Sequence, residues 1–75
     1  MNNYQEELNE EDVLLKQKIE AEIDKCPTPE VCAKIKNHQE KMFCISYIFN
    51  MVKNMGMTIS EGIGQLEAYL MEENL

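Results

Sequence analysis

Cys26, Cys32, His38 and Cys44 recur at six-residue intervals, and they are the side chains whose types could do chemistry. Three thiols and an imidazole are good zinc ligands. The interval argues against a shared ion. On a helix, six residues turn a side chain by about 240°, so Cys32, His38 and Cys44 point to three different faces. Cys26 and Cys32 flank the connector Pro27-Thr28-Pro29 and can approach each other, but two ligands do not make a structural site. A disulfide between them on oxidation is within reach. Otherwise Cys32 and Cys44 read as small buried apolar residues. No metal and no cofactor is expected.

His38 as a catalytic base needs an orienting acid and a nucleophile held nearby. Only Glu40 and Cys44 are close in sequence, and both lie on other faces. The plainer reading is a polar residue in an apolar seam, fixing register at some cost in stability. Gly62-Ile63-Gly64 lacks the longer glycine pattern, the preceding strand and the lysine of a phosphate-binding loop. These readings leave no catalytic residue, and an enzyme is not expected.

The charge pattern excludes other classes. The chain carries seven Lys and Arg against fourteen Asp and Glu, a net −7. Binding through nucleic-acid phosphates needs clustered cations, so nucleic acid is not an expected partner, and neither is an anionic membrane. Residues 45–66 superficially resemble a helix-turn-helix around Gly56. The apolar residue that motif wants six places after the glycine is Gly62, however, and the second helix presents Glu61, Gln65 and Glu67 with no Lys or Arg. The longest apolar run is far short of the ~18 residues that span a bilayer. Met1 to Tyr4 carries no positive export signal. Three cysteines, an odd number, predict reduced thiols and a cytoplasmic setting.

Residues 1–8 lack a capping signal and are expected to fray. Asn9 then precedes Glu10, Glu11 and Asp12, an N-cap with acids at the positive end of a helix dipole. Leu15, Ile19, Ile23 and Cys26 give that helix one apolar stripe, widened by Val13 and Leu14. Thr28-Pro29-Glu30 restarts the helix with a cap, a proline at the first position and an acid. Val31, Ile35, His38, Met42, Ile45, Phe49 and Val52 then follow at 4-3-4-3-4-3 spacing, a heptad-type seam. A second stripe of Cys44, Ile48, Met51 and Met55 lies beside it. Gly56 ends this helix, and Thr58-Ile59-Ser60-Glu61 opens another with a capping-box pattern. Ile59, Ile63, Leu66 and Leu70 form its stripe, with Tyr69 alongside, while Gly62 and Gly64 weaken it.

The fold class is therefore all-α, one domain over 1–75: a three-helix hairpin or bundle with helices near 9–25, 29–55 and 59–73. The order of charge along the chain, acid then base then acid, suits a central helix between two antiparallel neighbours. That central helix would be about 40 Å long against about 25 Å for its companions. Nine of the eleven residues from Met42 to Val52 are apolar, more circumference than two shorter helices can cover. A homodimer is predicted, with Met42, Ile45, Ile48, Phe49, Met51 and Val52 forming the contact or the adjoining core. The Met-rich run suits an adaptable surface or core filling. The function expected is regulatory protein–protein binding, as an inhibitor, modulator or adaptor of a larger cytosolic protein. Size, acidity and lack of reactive chemistry fit a product of bacteria or their phages. The alternative is a transcriptional regulator acting on DNA or on the transcription machinery.

Overall fold

A computed structural model describes residues 10–73. Four helices follow one another: α1, Glu10–Ile23; α2, Pro29–Lys34; α3, His38–Met55; and α4, Ile59–Glu73. The all-α class is what the periodicity predicts. The single central helix is not present, because the chain breaks between α2 and α3. The proposed cap Asn9 and the fraying segment 1–8 lie outside the described residues.

Local chemistry accounts for each boundary. Beyond Ile23, α1 unwinds into a turn, and Cys26 takes a left-handed φ of 54° immediately before Pro27. Thr28 caps α2, its Oγ1 accepting from the N–H of Val31 at 3.2 Å, with Pro29 at the first helical position. Asn37 caps α3 in the same way, its Oδ1 accepting from the N–H of Glu40 at 2.9 Å. That cap produces the break: Asn37 is extended, with φ −135° and ψ 172°, and cannot sit inside a helix. Gly56 closes α3 at φ 71°, where an L-residue with a Cβ is disfavoured. Thr58 and Glu61 exchange reciprocal bonds, Thr58 N–H to Glu61 Oε1 at 3.0 Å and Glu61 N–H to Thr58 Oγ1 at 3.1 Å.

With the break in place, the helix lengths match. The 18 residues of α3 span about 27 Å at 1.5 Å per residue, close to the 14-residue α1 and the 15-residue α4. The length mismatch that called for a second copy shrinks to three or four residues. One helix, α3, packs against both α1 and α4, while α2 leans on α4 and α3. Every helix contributes to a single core of Ile19, Ile23, Val31, Cys44, Ile45, Ile48, Ile63, Leu66 and Leu70. Leu15, Ile35, Phe49, Val52 and Ile59 pack at its margin.

The break also resets the phase of the seam. Val31 and Ile45 are buried as the heptad predicts, but His38 and Met42 are exposed. His38 opens α3 on the outside, so it is not a seam residue setting register. The first half of the second stripe takes the inner position instead, with Cys44 and Ile48 fully buried, while Met51 is half-buried and Met55 exposed. On α1 the predicted stripe is narrower than expected, since Val13, Leu14 and Cys26 are exposed. The α4 stripe of Ile63, Leu66 and Leu70 is buried, with Ile59 half-buried at its start.

Candidate functional site

Cys26 and Cys32 are disulfide-bonded, with Cα atoms 4.6 Å apart, so the bridge closes the loop Pro27–Val31 between α1 and α2. This corrects the expectation of three reduced thiols and of Cys32 as a plain buried apolar residue. Cys44 alone keeps its thiol, buried in the core, and that burial raises its pKa and holds it protonated. The bridge also removes the thiol half of the argument for a cytoplasmic setting. No helix among the described residues is long and apolar enough to cross a membrane. No cluster of three or more His, Cys, Asp or Glu side chains able to hold a metal ion occurs among them.

The acidic first helix meets the basic α3 through ion pairs. Lys41 Nζ lies 2.9 Å from Glu20 Oε2 and 3.0 Å from Asp24 Oδ1, and Lys53 Nζ lies 2.9 Å from Asp12 Oδ1. Hydrogen bonds donated to Glu20 and Asp24 hold the Lys41 pKa above its ordinary value, and the bond donated to Asp12 does the same for Lys53. These pairs fix α1 antiparallel to α3. They are partly exposed, so they orient the helices more than they stabilise them.

Of the six residues predicted to form the contact or the adjoining core, Ile45 and Ile48 are buried in the chain's own core. Phe49, Met51 and Val52 are half-buried, and the Lys16 ammonium sits 4.9 Å from the centroid of the Phe49 ring. Met42 is exposed. The structure therefore gathers these residues around α3 without leaving them as one open face.

A different group of residues is brought together at the surface. Phe43, Tyr47 and Tyr69 form a three-ring patch where α3 meets α4. Their ring centroids are 6.2 Å apart for Phe43–Tyr47 and Phe43–Tyr69, and 5.6 Å for Tyr47–Tyr69, all tilted. Phe43 is 40 % exposed, a large apolar ring left in water. Phe43 and Tyr47 are four apart on α3 and therefore share a helix face, while α4 delivers Tyr69 to the same place. The Tyr69 hydroxyl donates to Glu73 Oε2 at 2.8 Å, and that bond, first of all, raises the tyrosine pKa. The Lys34 ammonium lies 5.7 Å from the Phe43 centroid, a cation over a ring face.

The sequence carries only part of this patch in readable form. The i, i+4 pair Phe43/Tyr47 is a readable signal, hidden within the apolar run from Met42 to Val52. Tyr69 joins it only through the packing of α4 on α3.

A surface hollow of about 530 Å³ opens between α1, the α1–α2 connector and the start of α4, bordered by Glu22, Pro27, Ile59, Ile63 and Gly64. It groups no titratable constellation that could perform a reaction. The described residues bring together no nucleophile with a base and no set of metal ligands. Comparison with known proteins finds no matching family model, no matching curated protein and no matching solved structure.

Proposed function

We propose that this chain is a small acidic protein-binding module, a regulator that acts by docking on another protein without chemistry of its own. The observation that supports the reading is the Phe43–Tyr47–Tyr69 patch. Tyr47 and Tyr69 are half-buried against the core while Phe43 stands 40 % exposed beside them, and an aromatic cluster with an exposed ring is typical of protein interfaces. The test compares the unmodified chain with Phe43→Ser as baits in a lysate, with helicity followed by circular dichroism. Proteins retained by the first and lost from the second, at equal helicity, are the expected result. An identical set on both baits would overturn the reading.

Self-association is a second reading, favoured by the apolar side chains outside the core: Val13, Leu14, Met42, Met55 and Met71 besides Phe43. A homodimer predicts the mass of two chains by light scattering at high micromolar concentration. The mass of one chain would sink it and leave docking on another protein standing. Regulation through direct DNA contact finds no cation on α4, whose exposed positions include Glu61, Gln65 and Glu72. Salt-sensitive retention on heparin would support that alternative, and free passage is expected.

A further inference from the structure

We infer that the aromatic patch takes a cationic segment of a partner protein, whose arginine or lysine side chains seat in two hollows that Tyr69 borders. The inference rests on the docking reading above and adds the chemistry of the partner. The first hollow, of about 300 Å³, is lined by Lys34, Gln39, Glu40, Phe43, Tyr69 and Glu73. The second, of about 170 Å³, is lined by Tyr47, Gln65, Ala68, Tyr69 and Glu72. Each combines ring walls with carboxylate: Glu40 and Glu73 in the first, Glu72 in the second.

Ring faces carry negative quadrupole potential, and a neighbouring carboxylate adds full charge and hydrogen-bond acceptors. That combination suits a guanidinium or an ammonium. It disfavours an anionic segment, which would meet three carboxylates and one lysine, and a purely apolar segment would bury Glu40 and Glu72 without a cation, Glu73 alone keeping its bond from the Tyr69 hydroxyl. The chain supplies its own example, because the Lys34 ammonium already lies over the Phe43 ring. The α4 side of the patch has no Lys or Arg to offset its acids, and the whole chain carries net −7, which favours encounter with a basic partner.

Lys34 is then a competitor. It covers one ring and repels an incoming cation, so removing its charge should strengthen binding. Lys36, exposed in the α2–α3 turn, serves as the control for a general change in net charge.

The experiment titrates the full chain with short peptides of alternating arginine and serine, lysine and serine, or glutamate and serine. Tyrosine emission and calorimetry follow binding, since the chain contains no tryptophan. The arginine peptide should bind best and the glutamate peptide should not bind. Phe43→Ala should weaken the arginine peptide by about tenfold with helicity unchanged, the scale of a lost cation–π contact. Glu40→Gln and Glu73→Gln, which leave the rings in place, should weaken it in the same direction. Lys34→Gln should tighten it more than Lys36→Gln does. Equal binding to the unmodified chain and Phe43→Ala, or equal effects of the two lysine variants, would reduce the attraction to net charge and overturn the proposal. Failure of every cationic peptide would overturn it as well. If lysate proteins are still retained in a Phe43-dependent way, the docking reading survives that failure; if the patch instead mediates dimerisation, Phe43→Ala converts two-chain mass to one.

Discussion

Gly62 and Gly64 sit two residues apart in α4, and a methyl group would meet very different surroundings at each. A Cβ at Gly62 would come within 3.0 Å of Ile48 Cγ2, where α4 crosses α3, whereas one at Gly64 meets nothing within 4 Å. Ile48 is fully buried and β-branched, so it has little room to move aside. Gly64→Ala is therefore expected to raise stability by about 1 kcal/mol through helix propensity alone. Gly62→Ala should lower it despite the same propensity gain. Urea midpoints compared at constant slope check both, and a stabilised Gly62→Ala would refute the close approach. The Cys26–Cys32 bridge belongs to the same scale. It closes a short loop, for which chain entropy gives about 2 kcal/mol, so a reductant should lower the urea midpoint of the unmodified chain accordingly. Cys26→Ser should be insensitive to reductant, and an insensitive unmodified chain would contradict a stabilising bridge.

At the scale of elements, the break between α2 and α3 shapes the molecule most. Asn37 and Glu40 have the spacing of an N-cap and its third helical residue, so the signal is present in the chain. The heptad spacing from Val31 to Val52 runs straight across it and predicts one continuous helix. Local capping prevails because buried Val31, in a helix tied to the α1–α2 connector by the disulfide, holds α2 in its own direction. Asn37→Ala is expected to destabilise the chain by about 1 kcal/mol, with no gain in far-ultraviolet helicity. A gain in helicity would mean that α2 and α3 fuse once the cap is gone.

At the scale of the whole molecule, stability should depend on pH at the alkaline end. Lys41, Lys53 and Tyr69 all have pKa values raised by their hydrogen-bonded carboxylate partners, so the folded chain holds these protons longer than the unfolded one. Their contribution is fully present below about pH 10 and falls as pH rises through the folded values. Thermal melts across that range should show a declining midpoint, with a shallower decline in a Glu20→Gln, Asp24→Asn double variant. Flat midpoints would argue that the ion pairs do not persist in solution. The shared core makes a further demand, since Ile48 touches the centre of the α3–α4 contact. Ile48→Ala should cost about 2–5 kcal/mol and unfold all four helices together in a denaturant melt. Separate loss of α4 would show that the core is not one unit.

Sequence alone determined what depends on short-range chemistry. Thr28-Pro29, Gly56 and the Thr58/Glu61 box act within four residues of themselves, and they stand where their types place them. The α4 stripe is likewise set by one helical period. Tertiary packing decided what depends on which face meets which neighbour. His38 and Met42 fell outside the core and Cys44 and Ile48 inside it because a three-residue break changed the rotation of α3 relative to α2, and no periodic pattern encodes that angle. Phe43, Tyr47 and Tyr69 became one patch only when α4 folded back over α3, bringing together residues more than twenty positions apart.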